Sequence, residues 1–149
     1  MEFHEAHQIM RLMRRLSMAQ RARKTELLRP HGLQPGQDVV LLELALAGSA
    51  SQNELAHLAE VDEPSVGRSI TRLERRGLIA RTQDPDDSRR RLVTLTREGK
   101  KLIPKIEAVY EQVAAEAVGD FKDLPWLVNH LTEVASRLGL EPVSRPARS

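Results

Sequence analysis

Ser65, Arg68, Arg72 and Arg75 recur at the three- and four-residue spacing that puts side chains on one face of a helix. A guanidinium on such a face can donate two N–H groups at once to a guanine edge, worth roughly 1–3 kcal/mol of base discrimination. The same group can instead hold a phosphate without reading sequence. Further along, Asp84-Pro-Asp-Asp-Ser-Arg-Arg-Arg91 places Arg89, Arg90 and Arg91 in a stretch rich in turn-forming residues. An arginine at the tip of a turn suits a narrow A·T minor groove, whose negative potential attracts it. The bland reading of both features is a solvated basic surface, with Asp84, Asp86 and Asp87 neutralising the second. The charge distribution favours the chemical reading. The chain of 149 residues carries a net charge of only +2, yet eleven basic side chains against seven acidic ones lie between Asp62 and Lys101. The remainder is slightly acidic, so the positive charge is gathered on one segment.

The elements around these residues give the charge a scaffold. Ser51 and Glu54 have the spacing of a capping box, which starts a helix whose buried face is Leu55, Leu58 and Ala59. Glu60-Val61 make a turn. Asp62 is the N-cap of the next helix, with Pro64 in its first turn, where no N–H is missed. That helix, Glu63 to Arg76, buries Val66, Ile70 and Leu73 and presents the arginines opposite; Gly77 stops it. Leu78–Thr82 and Arg91–Leu95 read as two strands around the acidic and basic tip. Helix, turn, helix, then a charged hairpin is the order of a winged helix-turn-helix, a module that reads duplex DNA. Ser51 and Gln52 open the first helix of the pair, whose N-terminal N–H groups are placed to bind phosphate; capping alone explains Ser51 equally well.

Long helices flank this segment. Ile9, Leu12, Met13 and Leu16 make an apolar stripe on a helix from about Glu2 to Leu28. Pro30, Gly32, Pro35 and Gly36 punctuate a loop, and Gln37 to Ala47 is apolar nearly all round, which predicts a buried helix. Thr96 is the N-cap of a helix reaching about Val118, with Pro104 expected to kink it. Leu124, Leu127, Val128, Leu131 and Val134 share one stripe of a last helix, 124–138. The Pro-bearing residues 141–149 read as a flexible tail.

Other chemistries find little here. Without cysteine there are no disulfides, thiol nucleophiles or Cys-based zinc sites, and a reducing cytoplasm fits best. His4 and His7 share a helix face but lack an evident third ligand, so no metal and no cofactor are expected. Met10, Met13 and Met18 read as core or dimer packing rather than a ligand pocket. No nucleophile–base arrangement, phosphate-cradling glycine loop or paired carboxylates appear, so the chain is not read as an enzyme. No apolar run approaches the ~20 residues of a membrane span, and the polar start is not read as a signal peptide.

The run Asn53-Glu-Leu-Ala, Pro64-Ser-Val-Gly-Arg, Leu73-Glu-Arg-Arg-Gly-Leu-Ile-Ala-Arg81, Asp87-Ser-Arg89 and Leu95-Thr-Arg-Glu-Gly99 resembles the MarR (multiple antibiotic resistance regulator) family. The resemblance covers most of the chain. It implies a mainly α fold with a small β-wing: a single domain over 1–140, with a DNA-binding lobe at 37–96 between dimerisation helices at 2–29 and 97–138. It places major-groove contacts on Pro64, Ser65, Gly67, Arg68, Thr71 and Arg72, and a minor-groove contact on Arg89, oriented by Asp87. Ser88 stands where many relatives carry a second basic residue, with Arg90 and Arg91 beside it to compensate. Gly67 stands where a side chain often touches a base edge. The implied function is a homodimeric, cytoplasmic transcriptional regulator of the repressor type, on a pseudo-palindromic operator. A small aromatic or phenolic ligand would modulate it, with Arg14, Arg15, Met18, His31 and Gln37 as candidate lining. A non-specific architectural DNA protein and a winged helix used for protein interaction are the rival readings. The first predicts steep salt dependence without sequence preference; the second, weak DNA affinity.

Overall fold

The computed structural model describes residues 1–140; the tail expected at 141–149 lies outside the described residues. The chain divides into two compact units, one up to Ala114 and one from Ala115 onward.

In the first unit, α1 (Phe3–Leu28) leads through a 3-10 turn (Arg29–His31) into α2 (Gln37–Ala47). β1 (Ser49–Ala50), α3 (Gln52–Leu58), α4 (Glu63–Arg75), β2 (Ile79–Gln83), β3 (Arg91–Leu95) and α5 (Arg97–Val118) follow, the end of α5 from Ala115 belonging to the second unit. The strands form an antiparallel sheet in the order β1-β3-β2, with Ile79 opposite Leu95 and Gln83 opposite Arg91. The core is made by Val40, Leu41 and Leu44 of α2, Leu55 of α3, Val66, Ile70 and Leu73 of α4, Ile79 and Val93 of the hairpin, and Ile106 of α5. The periodic faces of α4 and the hairpin therefore close on one core, and the arginine face of α4 is left outside.

Caps set the boundaries. Ser51 Oγ accepts the Glu54 N–H at 3.2 Å while the Glu54 carboxylate accepts the Ser51 N–H at 2.8 Å. Asp62 accepts the Ser65 N–H at 2.9 Å, and Thr96 Oγ1 accepts the Gly99 N–H at 3.1 Å. Both expected N-caps of the lobe, and that of α5, are thus in place.

Several expectations change. A third strand, β1, pairs Ser49 with Thr94 and Ala50 with Val93. The buried face of α3 is Leu55 and Ala56, while Leu58 is exposed. α2 is buried on one side only: Leu46 is 61% exposed, whereas Asp38 is fully buried. The expected α5 is present, with Pro104 inside it.

Asp38 is held by a small polar cluster. Lys24 Nζ lies 2.8 Å from its carboxylate, the Tyr110 hydroxyl donates to it at 2.8 Å, and the Gly36 N–H donates at 3.1 Å. Lys24 also donates to the Tyr110 oxygen at 2.9 Å. One carboxylate therefore joins α1, α2 and α5, and no described buried side-chain polar atom is left unpaired. Burial, then the charge of Asp38, raises the Tyr110 hydroxyl far above the usual tyrosine range.

In the second unit, α6 (Leu124–Arg137) starts at Asp123, whose side chain accepts the Trp126 N–H at 2.9 Å. Trp126 stacks on His130, ring centroids 3.9 Å apart. Leu124, Trp126, Val128, Leu131 and Val134 remain exposed, as do Ile9, Leu12 and Leu16 of α1. Among the described residues no helix is long and apolar enough to cross a membrane.

Candidate nucleic-acid interface

α4 is built to present its outer face. Asp62 and Pro64 fix its start, Val66, Ile70 and Leu73 anchor its inner face, and Arg68, Arg72 and Arg75 are exposed. Hydrogen bonds from Ser65, side chain and then backbone, hold the Asp62 carboxyl below the usual aspartate range, with a smaller contribution from Arg68. Arg68 Nη2 donates to Ser65 Oγ at 2.6 Å, which extends the guanidinium along the helix face. Thr71 donates its hydroxyl to the Gly67 carbonyl at 3.0 Å.

These residues line an open groove of about 470 Å³ together with α3 and β2. Gln52, Pro64, Gly67, Arg68, Thr71 and Arg72, all named from the sequence, come together there with Arg75 and Arg81. Arg81 was not foreseen as part of the site; its place on β2 at the foot of α4, 3.6 Å from Glu74, is a tertiary fact. Gly67 leaves a gap that Gln52 fills: a methyl group at Gly67 would sit 3.0 Å from Gln52 Nε2. The side chain missing from α4 is thus replaced by one from α3. Arg72 and a further arginine, Arg76, tie the face to the loop before α2. Arg72 donates to Gln34 Oε1 at 2.7 Å, and Arg76 donates to the carbonyls of Gly32 at 2.5 Å and His31 at 3.3 Å.

The wing lies between β2 and β3. Asp87 accepts the backbone N–H of Arg89 at 2.9 Å, so it shapes the turn on which Arg89 stands. Arg89 is exposed, and no ion pair of its guanidinium is seen among the described residues. Arg90 faces the other way: its guanidinium pairs with Glu54 of α3 and lies 3.6 Å from Asp84. The Ser51 N–H first, then Arg90, hold the Glu54 carboxyl below the usual glutamate range, and Glu54 in turn raises Arg90.

None of the residues named as ligand lining borders the groove on α4. Arg14, Arg15 and Met18 are exposed on α1, His31 is half-buried, and Gln37 is buried with its side chain accepting the Gln34 N–H at 3.0 Å. Among the described residues no three side chains are grouped to hold a metal ion; His4 and His7 flank the Phe3 ring.

Residues 33–90 match the MarR family. Over 120 residues the chain is 34% identical to YwoH, an uncharacterised HTH-type transcriptional regulator of Bacillus subtilis, spanning 80% of this chain and 84% of that protein. The chain belongs to the MarR family. It is also 33% identical over 90 residues to the homoprotocatechuate degradative operon repressor of Escherichia coli, an alignment that spans 58% of this chain and 61% of that repressor. Among solved structures it is similar to Bordetella bronchiseptica BpsR, whose DNA binding is regulated by 6-hydroxynicotinic acid. The TM-score is 0.76 at 28% identity, over 87% of this chain and 98% of that one. A mutant of Escherichia coli MarR complexed with operator DNA shares the fold, with a TM-score of 0.78 at 23% identity over 89% and 96% of the two chains. The protein is therefore a MarR-family, DNA-binding transcriptional regulator and not an enzyme.

Proposed function

We propose that this MarR-family chain is a homodimeric repressor that reads a pseudo-palindromic operator in the cytoplasm and is released by a small aromatic acid. The groove in which Arg68, Thr71 and Gln52 stand beside Arg72, Arg75 and Arg81 carries the reading. Its lining offers hydrogen-bonding side chains for base edges and arginines for phosphates. Arg68 with Gln52, Pro64, Ser65, Gly67, Thr71 and Arg72 meets the major groove, while Asp87 sets Arg89 toward the minor groove. Ser51 opens α3 toward the phosphates.

The exposed apolar stripes of α1 and α6 support a second copy as partner, since water-facing Leu16, Trp126 and Leu131 would gain by burial. Two lobes on one face of DNA then require half-sites about one helical turn apart, ~10 bp. An aromatic acid is the effector class because BpsR, similar over most of this chain, responds to one. Arg14, Arg15, Met18, His31 and Gln37 remain the residues proposed to meet it. Such a ligand releases the operator only if it prefers a lobe arrangement that DNA does not.

Fluorescence anisotropy against DNA from upstream of the chain's own gene, with scrambled DNA beside it at several salt concentrations, tests the reading. Binding at least ~10³ tighter to the upstream DNA is expected. Equal affinities falling steeply with salt would replace it with architectural binding, and absence of binding to either would favour protein interaction.

A further inference from the structure

Arg89, Arg90 and Arg91 are adjacent in sequence but do not share one task. Arg89 stands exposed on the turn, and Arg91 closes the strand pairing opposite Gln83. Past that pair, residues 84–90 leave the ladder and form the wing tip. The tip is held together internally. Gln83 Nε2 donates to the Ser88 carbonyl at 2.8 Å, and Asp84 accepts the Asp86 N–H at 2.9 Å. The Asp84 N–H donates to the Arg90 carbonyl at 2.9 Å, and the Arg90 N–H to the Asp87 carbonyl at 2.9 Å. None of these bonds fixes the tip against the helices. The Arg90–Glu54 pair leaves the hairpin and reaches the helix-turn-helix.

Its partner is fixed. Glu54 is tied to the first turn of α3 by the bond it accepts from Ser51. On the hairpin side, Arg90 also meets Asp84, whose side chain is only 9% exposed. One guanidinium thus bridges a carboxylate of the helix pair and a carboxylate of the wing. An isolated surface ion pair contributes little, but a planar guanidinium between two anchored acids is the networked case that can count.

We propose that Arg90 is a positioning residue, a strut that with Glu54 sets the wing against α3 and α4 so that Arg89 meets the minor groove while α4 occupies the major groove. It does so without touching DNA. This rests on the proposed operator-binding function. The physical gain is preorganisation: a wing free to swing would lose its motion on binding, and that loss would weaken the complex.

The test uses the full chain with Arg90→Ala, Glu54→Gln, the double variant and Arg90→Lys. Glu54→Gln keeps an amide oxygen for the Ser51 N–H and removes the charge. In the protein without DNA, amide hydrogen exchange across 84–90 should quicken about two- to fivefold in Arg90→Ala and in Glu54→Gln, the range of one exposed ion pair. Affinity for the upstream DNA should fall by a similar factor in each. The double variant should be no worse than either single one. The slope of log K against log salt should stay at the wild-type value, and Arg90→Lys should restore part of the loss. A slope reduced by about one ion in Arg90→Ala, with Glu54→Gln binding as well as wild type or better, would make Arg90 a phosphate contact and overturn the strut. If the wild-type chain binds no upstream DNA, the operator reading fails, yet exchange still decides the strut: an unaltered wing in both single variants overturns it.

Discussion

Replacing Gly99 by alanine should be among the most damaging single-methyl changes in this chain, and the cost can be worked from its surroundings. Gly99 is the last residue of the Leu-Thr-x-x-Gly run and lies buried in the first turn of α5. Its backbone conformation suits any residue; what it lacks is space. A Cβ there would lie 2.0 Å from the Leu78 carbonyl oxygen and 3.0 Å from its carbon. A close carbon–oxygen approach is ~3.3 Å, so the two backbones must part by ~1.3 Å. The Leu78 oxygen already accepts the Thr96 N–H at 3.0 Å, and the Thr96 hydroxyl donates to the Gly77 carbonyl at 2.6 Å. Movement on that scale breaks the first bond and strains the second. A stranded buried polar group costs ~1–3 kcal/mol, overpacking ~1–3 kcal/mol, and alanine returns ~1 kcal/mol of helix propensity. The net is ~3 kcal/mol of destabilisation, or a fall of ~6–12 °C in melting temperature for a chain of this length. Circular dichroism melts of Gly99→Ala and wild type at matched protein concentration measure it, because the stability of the proposed dimer would depend on concentration. A melting temperature within ~2 °C of wild type would refute the argument that backbone contact, and not sequence habit, demands glycine there.

Gly67→Ala is the contrasting case, since its methyl meets only the mobile end of Gln52 at 3.0 Å. It should raise stability by up to ~1 kcal/mol through helix propensity while altering base preference as Gln52 is displaced, read by melting and by competition among base-substituted operators; a lower melting temperature would show that Gln52 cannot yield. Arg89→Ala should weaken operator binding by about tenfold or more and leave the melt unchanged, because the side chain is exposed; unchanged affinity in the titration removes the wing contact. Tyr110 is the chain's single tyrosine, and its hydroxyl is raised in the folded state. Its stabilisation is therefore complete below the unfolded tyrosine value of about 10 and is lost as pH climbs above it, by ~1.4 kcal/mol near pH 11. Urea denaturation of wild type and Tyr110→Phe across that window, with ultraviolet titration of the phenolate, checks the sign: the stability gap should close as pH rises.

What the sequence announced and what it concealed divide by range. The Ser51–Glu54 capping box, the Asp62 N-cap, the Val66–Ile70–Leu73 face, Gly77 and the hairpin are local patterns, and the structure has them. β1 is two residues long, too short for any period, and exists because Ser49 and Ala50 pass beside β3. The face of α3 keeps Leu55 but takes Ala56 in place of Leu58 and Ala59, because a seven-residue helix gives its stripe too few turns to define. Of the groove residues on α4, Arg68, Arg72 and Arg75 are readable from their spacing, whereas Pro64, Gly67 and Thr71 come from the family resemblance and Arg81 enters only through the way β2 leaves the foot of that helix.

The polar cluster around Asp38 shows the same limit at the level of energetics. In sequence Asp38 is an ordinary acid in the first turn of a helix, where the macrodipole favours it. Folding buries it completely, and besides the nearby Gly36 N–H it is Lys24 and Tyr110, 14 residues before it and 72 residues after it, that make that burial tolerable. Removing one partner would leave a buried charge short of compensation, which costs far more than the pair's net contribution. The cluster therefore acts less as glue than as a specification. Only the arrangement that brings α1, the start of α2 and α5 to one point satisfies the carboxylate, and these helices border the lobe whose α4 and wing present the arginines.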